Sequence, residues 1–303
     1  MLTRLNRAVV LLAVTAAAVH AQMPSDGLTL PRGTLTSGVF YSHDAWDQYW
    51  EGTLKRSNGN IGTLTTQTVT WVAGYGIADR LSVVAALPYV WTHASQGVLH
   101  EMSGIQDLTA AAKYRLVSTS IAGRGVLHTF IAGAAALPMS HYSPDFMPLS
   151  IGTAGSRASA SLTIDYAATS PWFATASGAY TFCNNVRLNR DSYYTNGQLY
   201  LTNEVAMPNV IDYVLTAGVA RGAWRVPLSL TQQVTLGGGD IRRQDMPFVS
   251  NRMDFTRAEG ALIYAPNVPM DLSVRFGAAH VLNGRNVGQS TTFATGLFYA
   301  YAF

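Results

Sequence analysis

The chain has 303 residues, of which 48% are hydrophobic and only 12% charged, about half the charged share of an ordinary soluble domain. No stretch of 18 apolar residues follows the leader, so membrane-spanning helices are excluded, and a single cysteine, Cys183, excludes a disulfide scaffold. Formal charge is +3, but no basic run offers itself to a phosphate backbone, so nucleic acid is not an expected partner.

The leader is the first element. Arg4 and Arg7 form a basic segment, Ala8 to Ala18 an apolar run, and Val19-His20-Ala21 a small-residue cleavage motif. Residues 1–21 therefore read as a signal peptide and 22–303 as one domain. Removing Arg4 and Arg7 leaves 18 basic against 17 acidic side chains, a net charge of +1.

The mature chain alternates between apolar and polar positions, the period of a strand. A first strand is expected near Thr34 to Tyr41. In Thr65 to Tyr75 the residues Val69, Trp71, Ala73 and Tyr75 oppose Thr66, Thr68 and Thr70. In Leu81 to Thr92 both faces are largely apolar. Ile105 to Leu116 sets Leu108, Ala110, Ala112, Tyr114 and Leu116 against Asp107, Thr109, Lys113 and Arg115. Ser156 to Tyr166 repeats this, with Ala158, Ala160, Leu162, Ile164 and Tyr166 opposite Arg157, Ser159, Ser161, Thr163 and Asp165. Tyr193 to Val205 also alternates, but counting it as a strand gives thirteen and puts a tiny turn among the long loops. It is assigned instead to a long outer loop, with room for a hairpin extension. In Arg252 to Tyr264 the faces switch midway, which a bulge near Ala258 would explain. Leu272, Val274, Phe276 and Ala278 oppose Asp271, Ser273 and Arg275, and the chain closes on the alternating Thr291 to Phe303.

Connector lengths alternate too. Short ones are Gly76 to Arg80, Thr169 to Pro171, Arg221 to Ala223 and Ala265 to Pro269. Long ones are His43 to Asn60, His93 to Gly104, Met139 to Gly155, Asn184 to Pro208, Gly237 to Ser250 and Asn283 to Gln289. A chain too apolar for water, with segments of about ten alternating residues, fits a closed barrel in lipid. The expectation is an all-β fold: a transmembrane antiparallel up-and-down β-barrel of about twelve strands, with short periplasmic turns, long outer loops and both termini periplasmic. Tyr75, Tyr114, Tyr166, Trp172, Trp224, Tyr264 and Phe303 would form one aromatic girdle, and Tyr89, Trp91, Tyr180 and Phe182 the other. Outer-membrane lipid is the expected surroundings.

Three stretches carry a resemblance: "YGIADRLSVVAALPYVW" (75–91), "SGIQDLTAAAKYRL" (103–116) and "NGRNVGQSTTFATGLFYAYAF" (283–303). They are similar to the bacterial family of outer-membrane barrel proteins named for the MetA pathway of phenol degradation. Its motifs are strand-turn-strand wording rather than catalytic signatures. The resemblance implies a porin-like barrel passing small hydrophobic or aromatic solutes across a Gram-negative outer membrane. Long-chain fatty-acid channels are similar in role but carry a substantial N-terminal plug domain, whereas only Gln22 to Gly33 precede the first strand here. The ending, with Tyr299, Tyr301 and Phe303 at alternate positions, resembles the C-terminal signal read by the barrel assembly machinery.

Catalysis finds no foothold. The family of outer-membrane phospholipase A places a histidine two residues before Ser-Asn-Gly, but Lys55 occupies that place before Ser57-Asn58-Gly59, and a serine nucleophile needs a base within reach. His43, His93, His100 and His141 fall in loops at no recognised metal spacing. No cofactor or metal is expected, and the chain is not expected to be an enzyme. The informative polar set is inward-facing: Asp107, Lys113, Arg115, Arg157, Asp165, Arg225, Arg257, Glu259, Asp271 and Arg275. Two readings stand, a lumen that sorts solutes by charge and a barrel plugged by salt bridges. Trp46, Tyr49 and Trp50 in the first outer loop could gather apolar ligands at the mouth, fold inward as a constriction, or pack against neighbouring loops.

Overall fold

The computed structural model describes residues 25–242, 247–266 and 272–303. The expected signal peptide, residues 1–21, and Asp271 lie outside the described residues. Twelve long strands form one sheet: β1 Thr34–Trp46, β2 Leu64–Ala78, β3 Leu81–Ala94, β4 Asp107–Ile121, β5 Gly125–Pro138, β6 Arg157–Ala168, β7 Trp172–Cys183, β8 Val210–Arg221, β9 Trp224–Thr235, β10 Asp254–Tyr264, β11 Leu272–Arg285 and β12 Thr291–Ala302. Each pairs antiparallel with its neighbours in sequence. The last returns to the first in unbroken register from Thr34↔Ala302 to Ala45↔Thr291. That seam leaves the sheet without a free edge, as a strand system in lipid requires.

The alternation read from the sequence is the inside–outside alternation of this barrel. On β6, Leu162 and Ile164 are 49% and 44% exposed, whereas Thr163 and Asp165 between them are 1% and 5% exposed. Outward aromatics cluster at the strand ends and pair there: Trp224 with Tyr264 across β9 and β10 at 4.5 Å, and Tyr89 with Trp91 along β3 at 4.6 Å. In water such a belt would be an aggregation surface; in a bilayer it is the solvated face.

Two details differ from the sequence reading. β10 keeps a single phase against β9, from Gln233↔Phe255 to Arg225↔Ile263. The register shift lies in its other pairing, where Thr256 faces Asn283 and Arg257 faces Val281. The extra residue is thus Leu282 on β11. The apparent switch of faces in β10 has another cause: its inward set passes from Arg257 and Glu259 to the buried Ala261 and Ile263. The Tyr193 to Val205 segment is a loop outside the barrel carrying its own hairpin, Tyr193–Thr195 against Gln198–Tyr200. Its turn is Asn196-Gly197, both at positive φ (48° and 83°), the conformation that Asn-Gly supplies at least cost.

Candidate channel lumen and mouth

The long loops gather at one end. Val186, Leu188, Tyr193, Val205, Phe248 and Val249 form one buried cluster there, and Ile61, Leu64 and Leu149 another, with Trp46 packed against it. The first loop folds as a hairpin, Gln48–Glu51 against Leu54–Ser57. Trp50 is buried there and its backbone N–H donates to the Val287 carbonyl at 2.9 Å. The ring of Trp46 lies so close to Gly288 that a Cβ would sit 2.5 Å from it, and Tyr49 bridges to the same glycine. Trp46, Tyr49 and Trp50 thus pack the first loop on the last one. Tyr142 reaches from its loop to donate to Asp107 at 2.5 Å, and Arg157 pairs with the other oxygen at 2.8 Å. Burial, then the hydrogen bond to Asp107, push the Tyr142 phenol well above its ordinary range. Behind this group, Arg157, Asp212 and Gln233 line a mouth cavity of about 180 Å³.

The opposite end holds an element that the sequence reading did not foresee. Residues 25–32 run into the barrel rather than away from it. Leu30 is 4% exposed and donates its N–H to the fully buried Ser82 hydroxyl on β3 at 3.0 Å. Asp26 meets Lys113 of β4 through its carboxylate at 2.7 Å and through its backbone carbonyl. Gly27 lies on Asp165 of β6, where a Cβ would fall 2.1 Å from the carboxyl carbon. Ser25 to Leu28 then share a cavity with Arg225, Glu259 and Arg275 on the far wall. The chain therefore straps the lumen from the β2–β3 side to the β9–β11 side. Leu28 and Leu30, two apolar side chains at alternate positions just ahead of Pro31-Arg32-Gly33, are the signal that could have revealed it.

The inward charges fall into small groups. Asp107 with Arg157 sits near the loop-bearing end. Lys113, 1% exposed, holds the strap with its ammonium 5.0 Å from the Phe130 ring centre. Asp165 accepts a hydrogen bond from Thr175 at 2.6 Å. Glu259 takes Arg257 at 3.0 Å and Arg275 at 2.7 Å. Arg225 lies over Phe173, its guanidinium carbon 3.5 Å from the ring centre. Arg115 is not brought into any of these groups; its guanidinium donates to the Asp79 carbonyl in the β2–β3 turn at 2.9 Å. A hydroxyl and an imidazole do meet, Ser118 and His128 at 2.8 Å, but the carboxylate of Asp165 across the strand is engaged by Thr175. Ser57 lies in the first-loop hairpin opposite Gln48.

The barrel is similar to the crystal structure of an outer membrane channel from Pseudomonas putida F1, with a TM-score of 0.72 at 15% identity over 92% of this chain and 100% of that one. The chain has the fold of an outer-membrane β-barrel. Weaker likenesses extend to the translocator domain of the autotransporter NalP from Neisseria meningitidis, at TM-score 0.47 and 10% identity over 92% and 91% of the chains. The CymD monoaromatic hydrocarbon channel follows at 0.42 and 13% over 90% and 89%. No protein-family model matches the sequence, and no curated protein does. At these identities the likeness is one of fold.

Proposed function

We propose that the barrel is a passive outer-membrane channel for small solutes with hydrophobic or aromatic bodies. The observation that carries the reading is a closed twelve-stranded wall around a lumen with charged groups and cavities at both ends. The likeness in fold to a protein described as an outer membrane channel supports it, and the solute class rests on the sequence resemblance. On this reading Asp107, Lys113, Arg157, Asp165, Arg225, Arg257, Glu259 and Arg275 are the pore lining, and Arg115 guards the turn at one rim. Both termini and the short turns face the periplasm, lipid contacts the aromatic girdles, and the assembly machinery reads Tyr299, Tyr301 and Phe303. The barrel's role is conduction rather than catalysis.

One observation favours a second reading: the strap pinned by Asp26 and Lys113 crosses the lumen, as it would in a barrel that conducts nothing and works through its outer loops. Conductance of the purified protein in planar bilayers separates the two. Stepwise current supports the channel; silent membranes from protein that shows a folded, heat-modifiable gel band refute it.

A further inference from the structure

Arg225 sits in the second position of β9, facing inward, and its setting is built. The Phe173 ring beneath it is 6% exposed. That ring lies against the backbone at Gly218, where a Cβ would come within 2.6 Å of it; the cross-strand pair Phe173↔Gly218 leaves the room. The guanidinium carbon lies over the ring, 3.5 Å from its centre, a cation–π contact. The neighbouring carboxylates are engaged: Asp26 by Lys113, Asp165 by Thr175, Glu259 by Arg257 and Arg275. Asp26 and Asp165 lie near enough to act on the Arg225 charge, but among the described residues neither forms a salt bridge with it, so its five N–H donors can turn to a ligand. They border a cavity of about 230 Å³ whose wall joins apolar Leu28, Val214 and Ile263 to the hydroxyls of Thr175, Ser229 and Thr231. Drug-sized ligands occupy roughly 300–1,000 Å³, so this space suits something of single-ring size.

We propose that this cavity binds a small monocarboxylate with a compact apolar body, its carboxylate held on the Arg225 fork and its body against Leu28, Val214 and Ile263. The fork matches a carboxylate in two parallel hydrogen bonds, whereas a neutral hydrocarbon would leave those donors unmet. This deepens the channel reading, naming a solute class for it, and rests on that reading for any consequence in transport.

Equilibrium dialysis of labelled benzoate against the full-length, detergent-solubilised protein tests it, with benzyl alcohol as the neutral probe of similar size. The expected result is saturable benzoate binding at one site, at least tenfold tighter than benzyl alcohol. Arg225→Met should weaken benzoate at least tenfold and leave benzyl alcohol unchanged, while Arg225→Lys, which keeps the charge and loses the fork, should fall between. Equal affinity for the two probes on the native protein overturns the proposal without any variant, and so does undiminished benzoate binding by heat-modifiable Arg225→Met. Binding in dialysis does not need an open pore, so silence in planar bilayers refutes the channel while leaving this site to stand or fall by itself.

Discussion

Cutting the contact that pins the strap is the sharpest perturbation the lumen offers. Asp26→Ala takes the carboxylate of Asp26 from Lys113, which is 1% exposed, and keeps the backbone carbonyl of residue 26 and the Phe130 face beside it. At the 2.7 Å separation and an effective dielectric near 20, the gross attraction is about 6 kcal/mol. Desolvating the two ions cancels a good part of that, and removing one partner of a buried pair typically costs about 3–5 kcal/mol. Asp26 is a quarter exposed, so the low end applies, about 3 kcal/mol. At roughly 1.4 kcal/mol per tenfold, that favours undocking of the strap by on the order of a hundredfold. The readout is the rate at which a bulky maleimide labels Leu28→Cys, with the buried Cys183 replaced by alanine so that all signal comes from position 28. Labelling should accelerate by roughly the factor above on adding Asp26→Ala. A rate unchanged within about twofold would refute the idea that this ion pair holds the strap.

Three other outcomes are expected. Arg275→Glu should move the reversal potential in a salt gradient towards cation preference, because Arg275 pairs with Glu259 on the lumen wall; Arg115→Glu, at the Asp79 turn carbonyl, should move it less, and equal shifts would contradict these placements. Deleting Phe303, 81% exposed at the seam with its N–H on the Gly33 carbonyl at 3.0 Å, should sharply reduce outer-membrane assembly; normal insertion would overturn its role as an assembly signal. In the loops, hydrogen bonds from Arg285, at 2.7 Å each, and from Asn286 hold the Asp240 carboxyl below its ordinary range. A depressed carboxylate stabilises the fold above its unfolded value, about 3.9, and that contribution is lost as pH falls through the folded value. Outer-loop proteolysis should therefore rise only below about pH 4, and Asp240→Asn should raise it at pH 7; a variant as resistant as the native protein would contradict the contact.

The barrel was legible in the sequence because lipid permits few alternatives: each span must satisfy its backbone within the sheet and show apolar side chains outward, so a period of two and alternating loop lengths carry topology directly. The interior obeys no such rule. Alternation points Asp107, Lys113, Asp165 and Arg275 inward but is silent on their partners, since Asp26 and Lys113 are 87 residues apart and Phe173 meets Arg225 from another hairpin. Arg115 shares the phase of Lys113, yet the register shift between Arg115 and Val117 and the nearby turn carbonyl draw it to the rim. The Gln22 to Gly33 segment is too short for a plug domain, yet eight residues of extended chain can cross some 26 Å. The aromatics of the first loop are read by composition alone as ligand gatherers, constriction or packing, and only Gly284 and Gly288, which admit Trp50 and Trp46 closely, reveal the third.

These placements recast the choice between a sorting lumen and a salt-bridged plug. The ion pairs inside the barrel run along its wall. Arg275 and Glu259 lie on adjacent strands, Arg257 and Glu259 are two apart on one strand, and Arg157 reaches Asp107 across β5. Pairs of this kind neutralise charge at the lining without filling the centre. Among the described residues, the element that spans the lumen from wall to wall is the strap, joined to one side by Ser82 and Lys113 and facing Arg225 on the other. On the channel reading the barrier to passage therefore resides in a short segment of chain, rather than in a core of interlocked side chains. A segment of that kind can be shifted by a change worth a few kcal/mol, which makes the occupancy of the Arg225 cavity and the position of the strap parts of one equilibrium: a carboxylate seated beside Leu28 must either fit against the docked strap or displace it.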